Sequence, residues 1–198
     1  MKIAHPFEFV SPAARKLTFG MSLLLALASL ALFQFVLDPP LRTALAPLGI
    51  VSFELAWTVD AVRAILGSWN HATKIYASFG LGFDFLFMLC YTFAIGLGTL
   101  MASNRMGKRF DDIGKWLGWG VVLAALLDAV ENILLFVIMT KGNYPPFALF
   151  ASLVATLKFL FIFIGIVFSL LGLFIPRRSR SAKKLVEQTP SPSLPPDA

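Results

Sequence analysis

The sequence predicts an all-α polytopic membrane protein with four transmembrane helices plus one interfacial amphipathic helix. Three observations carry that prediction. The 198-residue chain is 58% hydrophobic and only 14% charged, against about 25% charged in an average soluble domain. Its apolar residues fall in four long runs, each near the ~20 residues a spanning helix needs. Its basic residues gather beside those runs. A formal charge of +6 in a soluble protein would suggest nucleic acid. Lysine and arginine flanking apolar segments instead carry topology information and attract anionic lipid headgroups. Membrane lipid is therefore the expected partner, and no nucleic acid is.

Residues 1–16 form a polar N-terminus with Lys2, Arg15 and Lys16, where Pro6 and Pro12 discourage a long helix. The first span, 17–37, carries no charge. A cleaved signal peptide competes with this reading, since Ala44-Leu45-Ala46 resembles a small-x-small cleavage site. The run is longer than an h-region of about 7–15 residues, which favours a retained helix. Asp38-Pro39-Pro40 ends it, because proline lacks a donor and restricts the residue before it.

The stretch 50–69 is apolar on average but interrupted by Glu54, Asp60 and Arg63. Three charges argue against a fifth span and for a helix lying at the outer interface, with Trp57 and Trp69 at headgroup level. Asp60 and Arg63 stand at i, i+3 and can pair. The second span covers about 75–102, with Gly80, Asp84, Met88 and Tyr91 on one face. A basic loop, 103–115, leads to the third span at 116–140. A Gly/Pro turn, 141–146, precedes the fourth span at 147–175. Residues 176–198 form a basic, Ser/Pro-rich tail expected to be disordered.

Orientation follows from counting lysine and arginine by side. The N-terminus, the 103–115 loop and the tail hold twelve, whereas the 38–74 connection and Lys141 hold four. The positive-inside rule then puts both termini in the cytoplasm. The expected location is a cell membrane, read as a bacterial inner membrane.

The third span holds the most informative stretch, Leu127-Asp128-Ala129-Val130-Glu131-Asn132. Asp128, Glu131 and Asn132 stand at i, i+3 and i+4 and share one helix face. A charge near the bilayer centre costs at least ~2.5 kcal/mol, so these groups need partners, and the chain offers Asp84, Tyr91 and Lys158. At about 1.5 Å rise per residue, Asp84, Glu131 and Lys158 lie roughly 13–17 Å below the outer boundary, at one level. Lys158 shares its face with Ala151, Ala155, Gly165 and Ser169, the small-residue stripe expected to face other helices.

Three acids meet one lysine in this core. Either the cluster is an architectural network that fixes helix register, or a proton, cation or ligand completes it, as intramembrane ionisable residues suggest. The functional readings are a binding or proton-coupled carrier site for a small polar or lipid-headgroup ligand, with Glu54 reaching in, and a structural or assembly subunit. A third is an intramembrane enzyme using the carboxylates on lipid. The enzyme reading is the weakest. Lys158 competes with a metal, His5 and His71 lie outside the spans, and no nucleophile motif or Walker loop is present. No cofactor or metal is expected. Cys90 reads as packing. Gly114-x-x-x-Gly118 and Ala94-x-x-x-Gly98 offer close-contact motifs for a homodimer, which transport through so thin a bundle would call for.

Phe53-Glu54-Leu55-Ala56, Gly82-Phe83-Asp84-Phe85-Leu86-Phe87 with Tyr91, and Leu127 to Asn132 together resemble small four-span bacterial integral membrane proteins of uncharacterised families. The resemblance covers roughly residues 50–160 and implies no activity. It implies that Glu54, Asp84, Asp128, Glu131 and Asn132 belong to one site.

Overall fold

The computed structural model of the protein describes residues 3–142 and 147–175. Among them, four helices are long and apolar enough to cross a membrane. These are α1 (Arg15–Leu32, prolonged by a π turn over Phe33–Leu37), α4 (His71–Met106), α5 (Lys108–Lys141) and α6 (Phe147–Phe174). Two short helices, α2 (Ile50–Glu54) and α3 (Val59–Ser68), fill the connection between α1 and α4. The turn expected at 141–146 and the basic tail lie largely or wholly outside the described residues.

Helices α4, α5 and α6 pack on one another, and α1 leans on α4. Lipid gives apolar helices no reason to associate, so small residues that allow close approach take over. A Cβ on Gly165 would crowd Ile95 and Val121, one on Gly172 would meet Ala102, and one on Gly114 would meet Ser103. Gly98 is closed off by Ser169, and Ala94 is buried. The small pairs read as dimer motifs are thus occupied inside the single chain. Cys90 is buried as packing, as expected.

The expected 103–115 loop is helix instead. A single residue, Gly107, separates α4 from α5, at φ 93°. Only glycine enters that region cheaply. The charges of this stretch therefore sit on helix ends, where Lys115 pairs with Asp111 at 2.6 Å.

The segment expected as one helix over 50–69 is two, broken at Leu55–Thr58. Trp57 there has φ 59°, a strained value for a bulky residue. Thr58 restarts the helix, its Oγ1 accepting the Ala61 N–H at 3.2 Å. Asp38 anchors the start of α2, accepting the Ile50 N–H at 2.8 Å. Asp60 and Arg63 do approach, at 3.8 Å, on the exposed face. Trp69 is no headgroup anchor. It is buried, donates to Leu41 O at 2.9 Å, and meets Phe53 edge-on. Together Leu41, Phe53, Val62, Leu66 and Trp69 seat this lid on Leu81, Leu135 and Ile138 of the bundle.

The opposite end of the bundle is filled by the N-terminal segment. Residues 5–14 fold as consecutive turns. His5 and Phe7 are both buried, with Phe7 edge-on to Phe93 and Trp119 Nε1 donating to Ala4 O at 3.1 Å. A Cβ on Gly96 would overlap the Phe7 ring, and one on Gly118 would meet His5. The histidine that reads as outlying in the sequence is a packing centre.

Candidate functional site

Lys158 sits inward on α6, as its small-residue face predicts, with Ala151 and Ala155 buried beside it. Its side chain is 5% exposed. Nζ donates to Asp128 Oδ1 at 2.7 Å. It also lies 2.7 Å from Glu131 Oε2 and 3.6 Å from Glu54 Oε2. These two contacts are ion pairs, and both Glu131 oxygens and Glu54 Oε2 are buried without a hydrogen bond. Two elements thus present three carboxylates to one ammonium: the lid through Glu54, and α5 through Asp128 and Glu131.

Asp128 accepts a second bond at Oδ2, from Tyr91 OH at 2.9 Å. That bond ties α4 into the cluster. Asp84, two turns before Tyr91 on the same face of α4, forms no ion pair with Lys158. Its Oδ2 accepts from Asn132 Nδ2 at 2.7 Å, which gives a separate carboxylate–carboxamide pair. Glu54 takes the place at Lys158 that depth alone suggested for Asp84.

The lid is held over this core by Ser152, which is 1% exposed. Its Oγ donates to Glu54 O at 2.8 Å and accepts the Trp57 N–H at 2.9 Å. The strained Trp57 backbone and the buried Glu54 are therefore fixed by one α6 hydroxyl. Burial pushes the Glu54 carboxyl above its ordinary range, against the pull of Lys158.

A cavity of about 200 Å³ opens beside the cluster. Glu54, Asp84, Tyr91, Asp128, Asn132 and Lys158 line it, whereas Glu131 lies behind them. All seven residues singled out in the sequence are thus within one neighbourhood, six of them at the cavity wall. Two polar lining residues were not singled out as site candidates, Gln34 and Asp38. Both belong to the end of α1, where the apolar run gave no polar periodicity to follow. The wall there includes Phe33 of the π turn, and such turns recur at functional sites.

Among the described residues, no three His, Cys, Asp or Glu side chains converge as the ligands of one metal ion would. The carboxylates turn to Lys158 instead. His5 and His71 do not line the cavity. No protein-family model matches the chain, and no curated protein or solved structure is significantly similar to it.

Proposed function

We propose that this chain is an integral membrane binding protein, or a proton-coupled carrier, whose ligand occupies the cavity beside Lys158. Glu54 is the observation that carries the reading. A network serving only to register α5 against α6 has no need of a carboxylate from a separate lid, buried at the cavity wall and held to Lys158 only at 3.6 Å. Glu54 links closure over the cavity to the charge state of the core. In this reading both termini face the cytoplasm, as the distribution of basic residues favours, and the ligand reaches the site from the membrane or its outer face.

An architectural role is the second reading, favoured by the way Lys158 joins the lid, α5 and α6 at once. The two part on charge neutralisation. With a ligand role, Asp84→Asn, which lies at the cavity wall outside the ion pairs of Lys158, leaves a protein that melts like the parent but has lost its ligand. With a purely architectural role, the same change can alter only the melting temperature, because there is no ligand to lose. Native mass spectrometry of protein released gently from its own membrane supplies the first readout. A co-purifying molecule present in the parent and absent from the variant supports the binding role. Empty protein from both, with a lowered melting temperature in the variant, overturns it.

A further inference from the structure

Resting on that binding role, we infer that the cavity takes the protonated amine of a single-chain amphiphile, which enters sideways between α1 and α6 with its tail left among lipid.

The sign of the ligand follows from how the charges are spent. Five carboxylates surround the cavity region, Asp38, Glu54, Asp84 and Asp128 at its wall and Glu131 behind it, and its one ammonium, Lys158, already faces three of them. An ammonium has three N–H donors and accepts nothing, so an incoming phosphate or carboxylate would meet acids on every side. A cation meets the opposite situation. Asp84 lines the cavity, is held at Oδ2 by Asn132, and has no cationic partner among the described residues. Glu54 adds a second pointer: 7% exposed and at the cavity wall, it reaches Lys158 only at 3.6 Å, and its Oε2 accepts no hydrogen bond. An amine between Asp84 and Glu54 would satisfy both. Phe33 and Phe87, whose rings meet edge-on beside the site, offer faces of the kind that attract ammonium groups.

The tail follows from where the cavity opens. The lid seals one end of the bundle, and His5 with Phe7 fills the other. Helix α1 packs on α4. Leu30 of α1 and Phe159 of α6 both line the cavity, yet they are 52% and 38% exposed. Residues that are cavity wall and outer surface at once mark a mouth, and this one faces the lipid side. A volume of about 200 Å³ holds about a dozen water-sized groups, enough for an amine and the first carbons of a chain. The headgroup of an aminophospholipid would bring its phosphate in behind the amine, among the carboxylates that disfavour an anion.

The test is native mass spectrometry of the full chain in nanodiscs of phosphatidylcholine, with four probes: dodecylamine, dodecanol, laurate and ethanolamine. We expect one dodecylamine per chain, bound at least tenfold more tightly than the other three. Asp84→Asn, which keeps the Asn132 bond, should weaken dodecylamine at least tenfold. Leu30→Trp, on the lipid-facing rim and outside the charge cluster, should weaken it without changing the melting temperature. Ethanolamine binding as tightly as dodecylamine overturns the amphiphile and the sideways entry. Laurate or dodecanol preferred overturns the amine, while a saturable adduct of either kind leaves the binding role standing. No adduct with any probe, and no co-purifying molecule, overturns both.

Discussion

Lys158 is the residue on which the core depends. Removing it by Lys158→Met leaves Glu54, Asp128 and Glu131 facing one another with no cation, and breaking a buried pair on one side costs about 3–5 kcal/mol. We expect that loss in a denaturation titration of the purified protein. Adding Asp128→Asn and Glu131→Gln to the same chain should recover much of it, since a neutral core no longer needs the ammonium. Absence of recovery would mean that the lysine stem, not its charge, holds α6 in place. The sequence foretold the inward turn of Lys158, because alanine and glycine on its face left no other direction. It also put Asp128, Glu131 and Asn132 on one stripe. Helical spacing gives depth and face, but not which neighbour stands opposite. That is why Asp84 looked like a partner of Lys158 when Asn132 holds it instead, and why Glu54, carried on a separate element, was foreseen only as a group that reaches in.

At the scale of elements, the N-terminal segment behaves as a docked strap with its own pH dependence. His5 Nδ1 accepts the Phe7 N–H at 3.2 Å. Thr99 Oγ1 donates to Gly96 O and so is left to accept from His5 Nε2 at 3.3 Å. Both contacts suit the neutral ring with its proton on Nε2; a proton on Nδ1 would face a donor. Burial accordingly lowers the His5 pKa to about 4, with Arg15 reinforcing and Glu8 and Asp111 opposing. The unfolded ring titrates near ~6.5, so the unfolded state takes up a proton that the docked state refuses. Docking stability is whole above about pH 6.5 and declines as pH falls toward 4. Melting temperatures taken across that range should fall more steeply for the parent than for His5→Asn, and parallel curves would reject this account. None of it was legible beforehand. Consecutive turns have no period, and Pro6 and Pro12 read as breakers rather than as shapes that fit a groove. The one-residue link at Gly107 was hidden likewise, because a charged stretch looks the same whether it is loop or helix end.

For the molecule as a whole, an even number of spans returns the chain to its starting side. Reporter fusions at residue 2 and after residue 175 should therefore report the same compartment, and fusion near residue 60 the other one. Opposite compartments for the two ends would remove one of the four crossings. This level was the most readable in the sequence, because span length is set by bilayer thickness and needs no knowledge of partners. The lid was less so. Its three charges suggested a helix lying at the interface, whereas Phe53 and Trp69 are spent on seating it against the bundle.

The cluster also has a consequence for how the chain is made. Helix α5 leaves the ribosome with Asp128 and Glu131 before α6 brings Lys158, so for a time the acids have no cation within the membrane. Each such group disfavours insertion by about 2.5–3.5 kcal/mol. The α5 run is apolar enough to absorb that, with a mean hydropathy of 2.4 over its best window, and α6 follows at 2.5. Pairing of α5 with α6 then relieves both helices together. A nascent chain stopped before α6 therefore holds Asp128 and Glu131 without the ammonium that pairs with them in the finished fold.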